Sequence, residues 1–173
     1  MKIITCNQQD HSAAILAIFN VAIAQTTALY EYQPRTMANM DAWFADKHQG
    51  KFPVLGIETP SGELIAFGSY GTFRARAAYK YTVEHSLYIR EDQRGNGLGV
   101  LILSAIIDAA KQQGYHTLIG VIDSKNEASI ALHEKLGFEA CGVIAQSGFK
   151  FGQWLDTALF QLILDTPNNP VDG

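Results

Sequence analysis

The sequence predicts an α/β domain built on a mixed β-sheet. Two observations lead to that class. Apolar residues first recur at helical spacing, then give way to short strand-like runs broken by glycine and proline, and return to helical spacing after Gly97. A glycine-rich turn, "RGNGLG", carries the chain from a strand straight into a long apolar helix, the β-to-α connection on which such domains are built.

"KIIT" opens the chain as a strand. Asp10 and Ser12 are placed to cap a first helix, along which Ile15, Leu16, Ile18, Phe19 and Ala22 follow helical spacing. A second helix is expected over 36–48, capped by Thr36, with Met40, Trp43 and Phe44 on one side. "PVLGIET" and "ELIAFGSYG" read as strands joined by the turn "PSGE", which makes a hairpin. A further strand, "YKYTVEHSLYI", follows the basic loop "TFRARAA". Helical spacing resumes over 97–113, where Ser104, Asp108 and Lys111 mark the wet side and Gly114 supplies the stop. "HTLIGVI" is a buried strand, "NEASIALHEKLGF" a short helix ending at Gly137, and "FEACGVIAQ" and "WLDTALFQLIL" are two closing strands. The order β-α-α-β-β-β-α-β-α-β-β excludes a repeat protein and a helical bundle. One domain over residues 1–165 is expected, followed by a flexible tail, 166–173.

Composition narrows the function. At 47% hydrophobic and 17% charged, the chain has the makings of one globular domain with a full core. A net charge of -4 argues against nucleic acid or an anionic membrane as partner, so any phosphate must be held locally. The start "MKIITCNQQD" lacks the pattern of a leader, and "SAAILAIFNVAIA" is interrupted by Asn20 and too short for a bilayer; a cytoplasmic protein is expected. Cys6 and Cys141 show no metal-ligand spacing and read as reduced core thiols; no metal is expected.

Gly95, Gly97 and Gly99 stand at alternate positions where a helix begins. Free N–H groups at a helix start, with the positive end of its dipole, suit an anion, and glycine lets the backbone approach closely. The glycines alone are equally compatible with a flexible turn. G-x-x-x-x-G-K-[ST] is absent, and Val100 occupies the third glycine of G-x-G-x-x-G, so neither ATP nor NAD fits. What remains is R-x-x-G-x-G, met by Arg94, Gly97 and Gly99.

This motif resembles the acetyl-CoA diphosphate loop of the GNAT superfamily of N-acetyltransferases. "NEASIALHEKLGF" resembles that superfamily's next helix, whose opening asparagine meets the pantetheine arm. "YTVEHSLYIREDQRGNGLG", with "TTALYEYQPRT", "AWF" and "GFKFGQWLD", is similar to the branch that acetylates phosphinothricin and methionine sulfoximine, and this similarity spans almost the entire chain. The resemblance implies the GNAT fold, a mixed central sheet splayed near its middle with helices on both faces. It implies acetyl-CoA as co-substrate, a small amine as acceptor, and a homodimer formed through the strands around "GFKFGQWLD". A protein or peptide acetyltransferase of the same fold, or a catalytically inactive CoA-binding sensor, are the competing readings.

Direct attack of an amine on a thioester needs a proton acceptor, donors for the developing oxyanion and a proton for the thiolate. Alternation puts Glu84, Ser86 and Tyr88 on one face of their strand and Val83, His85, Leu87 and Ile89 on the other. Glu84 is either a structural acid or the base; in the similar branch the matching glutamate sits by the substrate. His85 competes for that role from the opposite face. The resemblance places His133, seven residues after Asn126, where many relatives carry a proton-donating tyrosine. Two helical turns, roughly 10.5 Å, separate the two side chains. The implied cofactor set is Leu87, Tyr88, Ile89, Arg94, Gly95, Asn96, Gly97, Leu98, Gly99, Val100, Asn126 and Lys135. The implied acceptor set is Arg74, Ala75, Arg76, Glu84, His85 and Ser86, with Tyr30 and Glu31. Arg74 and Arg76 are suited to clamp a carboxylate or phosphinate, or else form a solvated basic loop.

Overall fold

The computed structural model describes residues 1–172. The predicted order of elements is present: β1 (Lys2–Thr5), α1 (Gln8–Gln25), α2 (Met37–Gln49), β2 (Val54–Glu58), β3 (Leu64–Thr72), β4 (Thr82–Ile89), α3 (Leu98–Gln112), β5 (Thr117–Asp123), α4 (Glu127–Lys135), β6 (Glu139–Lys150) and β7 (Gln153–Ile163). Short 3-10 turns occupy Ala77–Tyr79 and Glu91–Gln93. The sheet is mixed, in the order β1-β2-β3-β4-β5-β7-β6. The β4–β5 pair is parallel, whereas β1–β2, β2–β3, β5–β7 and β6–β7 are antiparallel. The chain forms two compact units, Met1–Ser69 with Leu87–Ala105, and Tyr70–Ser86 with Ile106–Gly173. The division falls inside β3, β4 and α3.

In the first unit, α1 begins earlier than expected. Asn7 is the cap, accepting from the Asp10 amide at 2.8 Å, while Asp10 braces the Asn7 amide group from inside the first turn. Ser12 lies buried within the helix. Thr36 caps α2 as predicted, in a reciprocal box with Asn39. The core gathers Ile15, Phe19, Met40, Phe44, Val54 and Phe67. Phe19 is its hub: its ring meets Phe67 at 4.8 Å, Tyr88 at 5.0 Å and Trp43 at 5.6 Å, all edge-on. Burying a ring of this size stabilises the unit by about 3 kcal/mol.

In the second unit, β5 is paired along its length with β7, from Thr117↔Ile163 to Asp123↔Thr157. Its ladder with β4 covers only Thr82↔Thr117 to His85↔Gly120, although β4 continues to Ile89. β6 is the edge strand and runs past the expected limit to Lys150. Phe151 and Gly152, with φ of 51° and 73°, turn the chain directly into β7, so residues that read as a loop are a tight hairpin. Being at the edge, β6 exposes nearly its whole length, and Cys141 is exposed rather than in the core. Cys6 is the buried thiol; desolvation, then the charge of Glu58, pushes it up to about 12. The tail, expected to be flexible, carries hydrogen bonds: Thr166 O accepts from His116 Nδ1 at 2.8 Å, and the Val171 amide donates to the Tyr81 hydroxyl at 3.1 Å. Gly173 lies outside the described residues.

Candidate active site

The glycine loop belongs to the first unit. Arg90 fastens the turn that precedes it, donating to Asp92 from Nε at 2.6 Å and from Nη2 at 2.9 Å, and to Glu63 from Nη1. Hydrogen bonds from Arg90, then Gln93, hold the Asp92 carboxyl below its ordinary value. Beyond this brace, Gly95 and Gly97 take φ of 80° and 75°, a conformation only glycine adopts without strain. A side chain at either position would meet no atom within 4 Å. Space, then, does not require these glycines; backbone direction does. Among the described residues the amides of residues 95–100 have no backbone acceptor, as the start of α3 dictates. The arrangement is an open concavity of N–H donors at a helix start, chemically suited to a diphosphate. Ile89 and Arg94 also line a groove of about 600 Å³ floored by Ala14, Ile18, Val21 and Leu64.

The α1–α2 connection of the same unit carries Tyr30, which is exposed, and Glu31, which is partly so. Sequence reasoning missed what holds this segment. Arg35 binds Glu31 through Nε at 3.0 Å and through Nη2, and its guanidinium lies 3.8 Å from the centre of the Phe19 ring. Asn20, which reads as a blemish in the apolar helix, receives the Arg35 amide at 2.7 Å and returns a donor to its carbonyl at 3.1 Å. The i,i+4 spacing of Glu31 and Arg35 was the available signal, lying in a stretch that reads as loop.

In the second unit, β4 alternates as predicted: Glu84 and Ser86 are exposed, Val83 and His85 buried. His85, expected among the acceptor contacts, does not share the Glu84 face. It meets His133 instead. The two Nε2 atoms are 2.9 Å apart, and the rings are 5% and 4% exposed. His133 Nδ1 lies 2.7 Å from the Ser129 carbonyl, and Phe138 packs on both rings. Gly120, level with His85 in the ladder, makes the room: a Cβ there would stand 3.0 Å from His133 Nε2 and 3.2 Å from His85 Cε1. Burial, then the field of His133, pushes the His85 imidazole down to about 3; burial lowers His133 too. Both rings are therefore neutral at pH 7.

Asn126 caps α4, its carbonyl oxygen accepting from the Ser129 amide at 3.1 Å, so its side-chain N–H groups take no part in the cap. Lys135, near the other end of α4, is exposed. Arg74, Ala75 and Arg76 stand exposed on the loop after β3, and neither guanidinium has an acidic partner among the described residues. Arg74 lies 5.4 Å from the centre of the Phe73 ring.

Comparison with known proteins agrees with this chemistry. Residues 15–138 match the acetyltransferase (GNAT) family. The chain is 46% identical, over 151 residues, to an L-methionine sulfoximine/L-methionine sulfone acetyltransferase of Pseudomonas aeruginosa, covering 87% of this chain and 88% of the relative. An L-amino acid N-acyltransferase of Escherichia coli is 39% identical over 158 residues, 91% of each chain. Among solved structures, a GNAT superfamily phosphinothricin acetyltransferase from Sinorhizobium meliloti in complex with acetyl-CoA superposes with a TM-score of 0.91 at 32% identity, covering 94% of this chain and 88% of that one.

Proposed function

Because the chain belongs to the acetyltransferase (GNAT) family, we propose that it acetylates the amino group of small amino-acid-like acceptors such as methionine sulfoximine, methionine sulfone and phosphinothricin, with acetyl-CoA as donor. The observation that carries the reading is the loop at 95–100, whose unpartnered amides and open glycine positions fit a diphosphate. Acetyl-CoA supplies the acyl group as an activated thioester. The loop amides, with Arg94 beside them, would hold its diphosphate, and the backbone N–H groups of Leu87, Tyr88 and Ile89 would serve the developing oxyanion. Asn126 offers its side-chain amide to the pantetheine, and Lys135 meets a phosphate.

Glu84 takes the proton of the attacking amine, directly or through water, from the exposed face of β4. Arg74 and Arg76, cationic and without acidic partners among the described residues, clamp the acceptor's carboxylate or phosphinate, and Tyr30 and Glu31 are further acceptor contacts implied by the resemblance. With such acceptors the reaction is one of detoxification. The protein works as a homodimer, for which the apolar edge of the second unit is the support: Val143, Ile144, Phe149 and Trp154 are all about half exposed or more, and Phe149 and Trp154 face each other across the β6–β7 ladder at 5.1 Å.

Thiol release from acetyl-CoA over a panel of sulfoximines, phosphinothricin, ordinary amino acids and short peptides tests the reading. Turnover is expected with the small analogues. Glu84→Gln should lower kcat by about a hundred-fold, and Arg74→Ala should raise the acceptor KM by about ten-fold. Turnover confined to peptides would overturn the choice of acceptor, and none at all would overturn the enzyme.

A further inference from the structure

The His85–His133 contact fixes where the protons of both rings reside. The Ser129 carbonyl can only accept, so the 2.7 Å contact places a hydrogen on His133 Nδ1. A neutral His133 then has a bare Nε2, and the 2.9 Å contact requires the intervening hydrogen to come from His85 Nε2. His85 Nδ1 is left bare and is buried with no partner in hydrogen-bond geometry, although the Ile119 backbone beside the ring would by itself favour a protonated imidazole. The alternative, an imidazolium at His133, would bury a cation with no carboxylate in ion-pair range among the described residues, an arrangement that is strongly disfavoured.

We propose that His85 is a positioning residue for His133: its Nε2–H occupies the His133 Nε2 lone pair, keeps the ring uncharged with its proton on Nδ1, and holds it above Gly120. His133 in the resting protein thus has no proton to give from Nε2. The residue that occupies the place of a proton-donating tyrosine enters the reaction already engaged on both nitrogens, and the thiolate's proton comes from elsewhere. The proposal rests on the acetyl-transfer reading above for its kinetic consequence, but its hydrogen-bond chain is readable without turnover.

Nitrogen-15 spectra of the imidazoles in the wild-type protein at pH 7 provide the direct test. Two neutral rings are expected, His133 protonated at Nδ1 and His85 at Nε2. His85→Gln restores a donor and should keep His133 as the Nδ1–H form, whereas His85→Phe keeps the ring volume, removes the donor and should raise the midpoint at which His133 titrates. A wild-type His133 protonated at Nε2, or an unshifted His133 titration in His85→Phe, would overturn the proposal. The predicted spectra in a protein that turns over no amine would leave the hydrogen-bond chain standing and remove the acetyl-transfer reading.

Discussion

Acid should reach this fold through the paired imidazoles before it reaches the carboxylates. His85 titrates at about 3 in the folded protein because it is desolvated and faces His133, whereas an unfolded histidine titrates near the ordinary value of 6.5. Between those values the unfolded chain binds a proton that the folded protein refuses. The contribution to stability is therefore complete above about pH 6.5 and is lost as pH falls toward 3. Each pH unit below the unfolded value removes about 1.4 kcal/mol per proton, so lowering pH from 7 to 5 costs about 2 kcal/mol through His85 alone. His133, lowered by burial, acts in the same direction. Asp92, which Arg90 holds down, contributes above its unfolded value of 3.8 and loses that as pH falls below it, outside the interval from pH 7 to 5.

Urea unfolding at pH 7, 6 and 5, at constant ionic strength, reads the effect. With a slope near 2 kcal/mol/M the midpoint should fall by about 1 M. His85→Phe keeps an aromatic ring in the site and removes one of the two titrating groups, so its midpoint should fall less over the same interval. A wild-type midpoint that stays level from pH 7 to 5, or a variant that falls as steeply, would refute the linkage.

Gly97→Ala should separate backbone strain from ligand binding. No atom lies within 4 Å of the added Cβ, so its cost to the fold is the positive φ, about 1–2 kcal/mol. The acetyl-CoA affinity measured by calorimetry should fall by about ten-fold, the worth of one charge-assisted hydrogen bond; unchanged affinity in a destabilised protein would mean that the loop does not cradle the diphosphate. Trp154→Lys should convert a dimer to a monomer in sedimentation velocity with little change in melting temperature, because the indole is 59% exposed in the single chain. A wild-type monomer at micromolar concentration would remove β6 and β7 as the interface.

What was legible in the sequence was local. The order of elements followed from periodicity and turn residues, and the loop at 95–100 was visible because R-x-x-G-x-G stands between a strand and a long helix. The local errors are instructive. Asn7 supplanted Asp10 and Ser12 as a cap because its side chain reaches the amide three residues on, leaving Asp10 to brace it from within. Phe151 falls between the two expected strands, and no local signal marks it as a turn residue, since a bulky side chain rarely adopts the φ of 51° that the two-residue hairpin requires there. Exposure of Cys141 depends on strand order, which alternation along a strand does not contain.

The chemistry shows the same limit more sharply. Alternation correctly turned His85 inward, and the motif singled out His133, but nothing local joins residues 48 positions apart. Gly120 was hidden for the same reason: in "HTLIGVI" it reads as one more buried strand residue, and only the two imidazoles above it show that an added methyl group would be crowded. A motif position says which side chain stands near a reacting bond. Which of its atoms carries hydrogen is decided by neighbours, and here Ser129 and His85 place both protons of the pair away from the His133 Nε2 atom on which a donor's role would depend. A proton donor assigned from motif position alone would therefore be assigned to an atom that holds none.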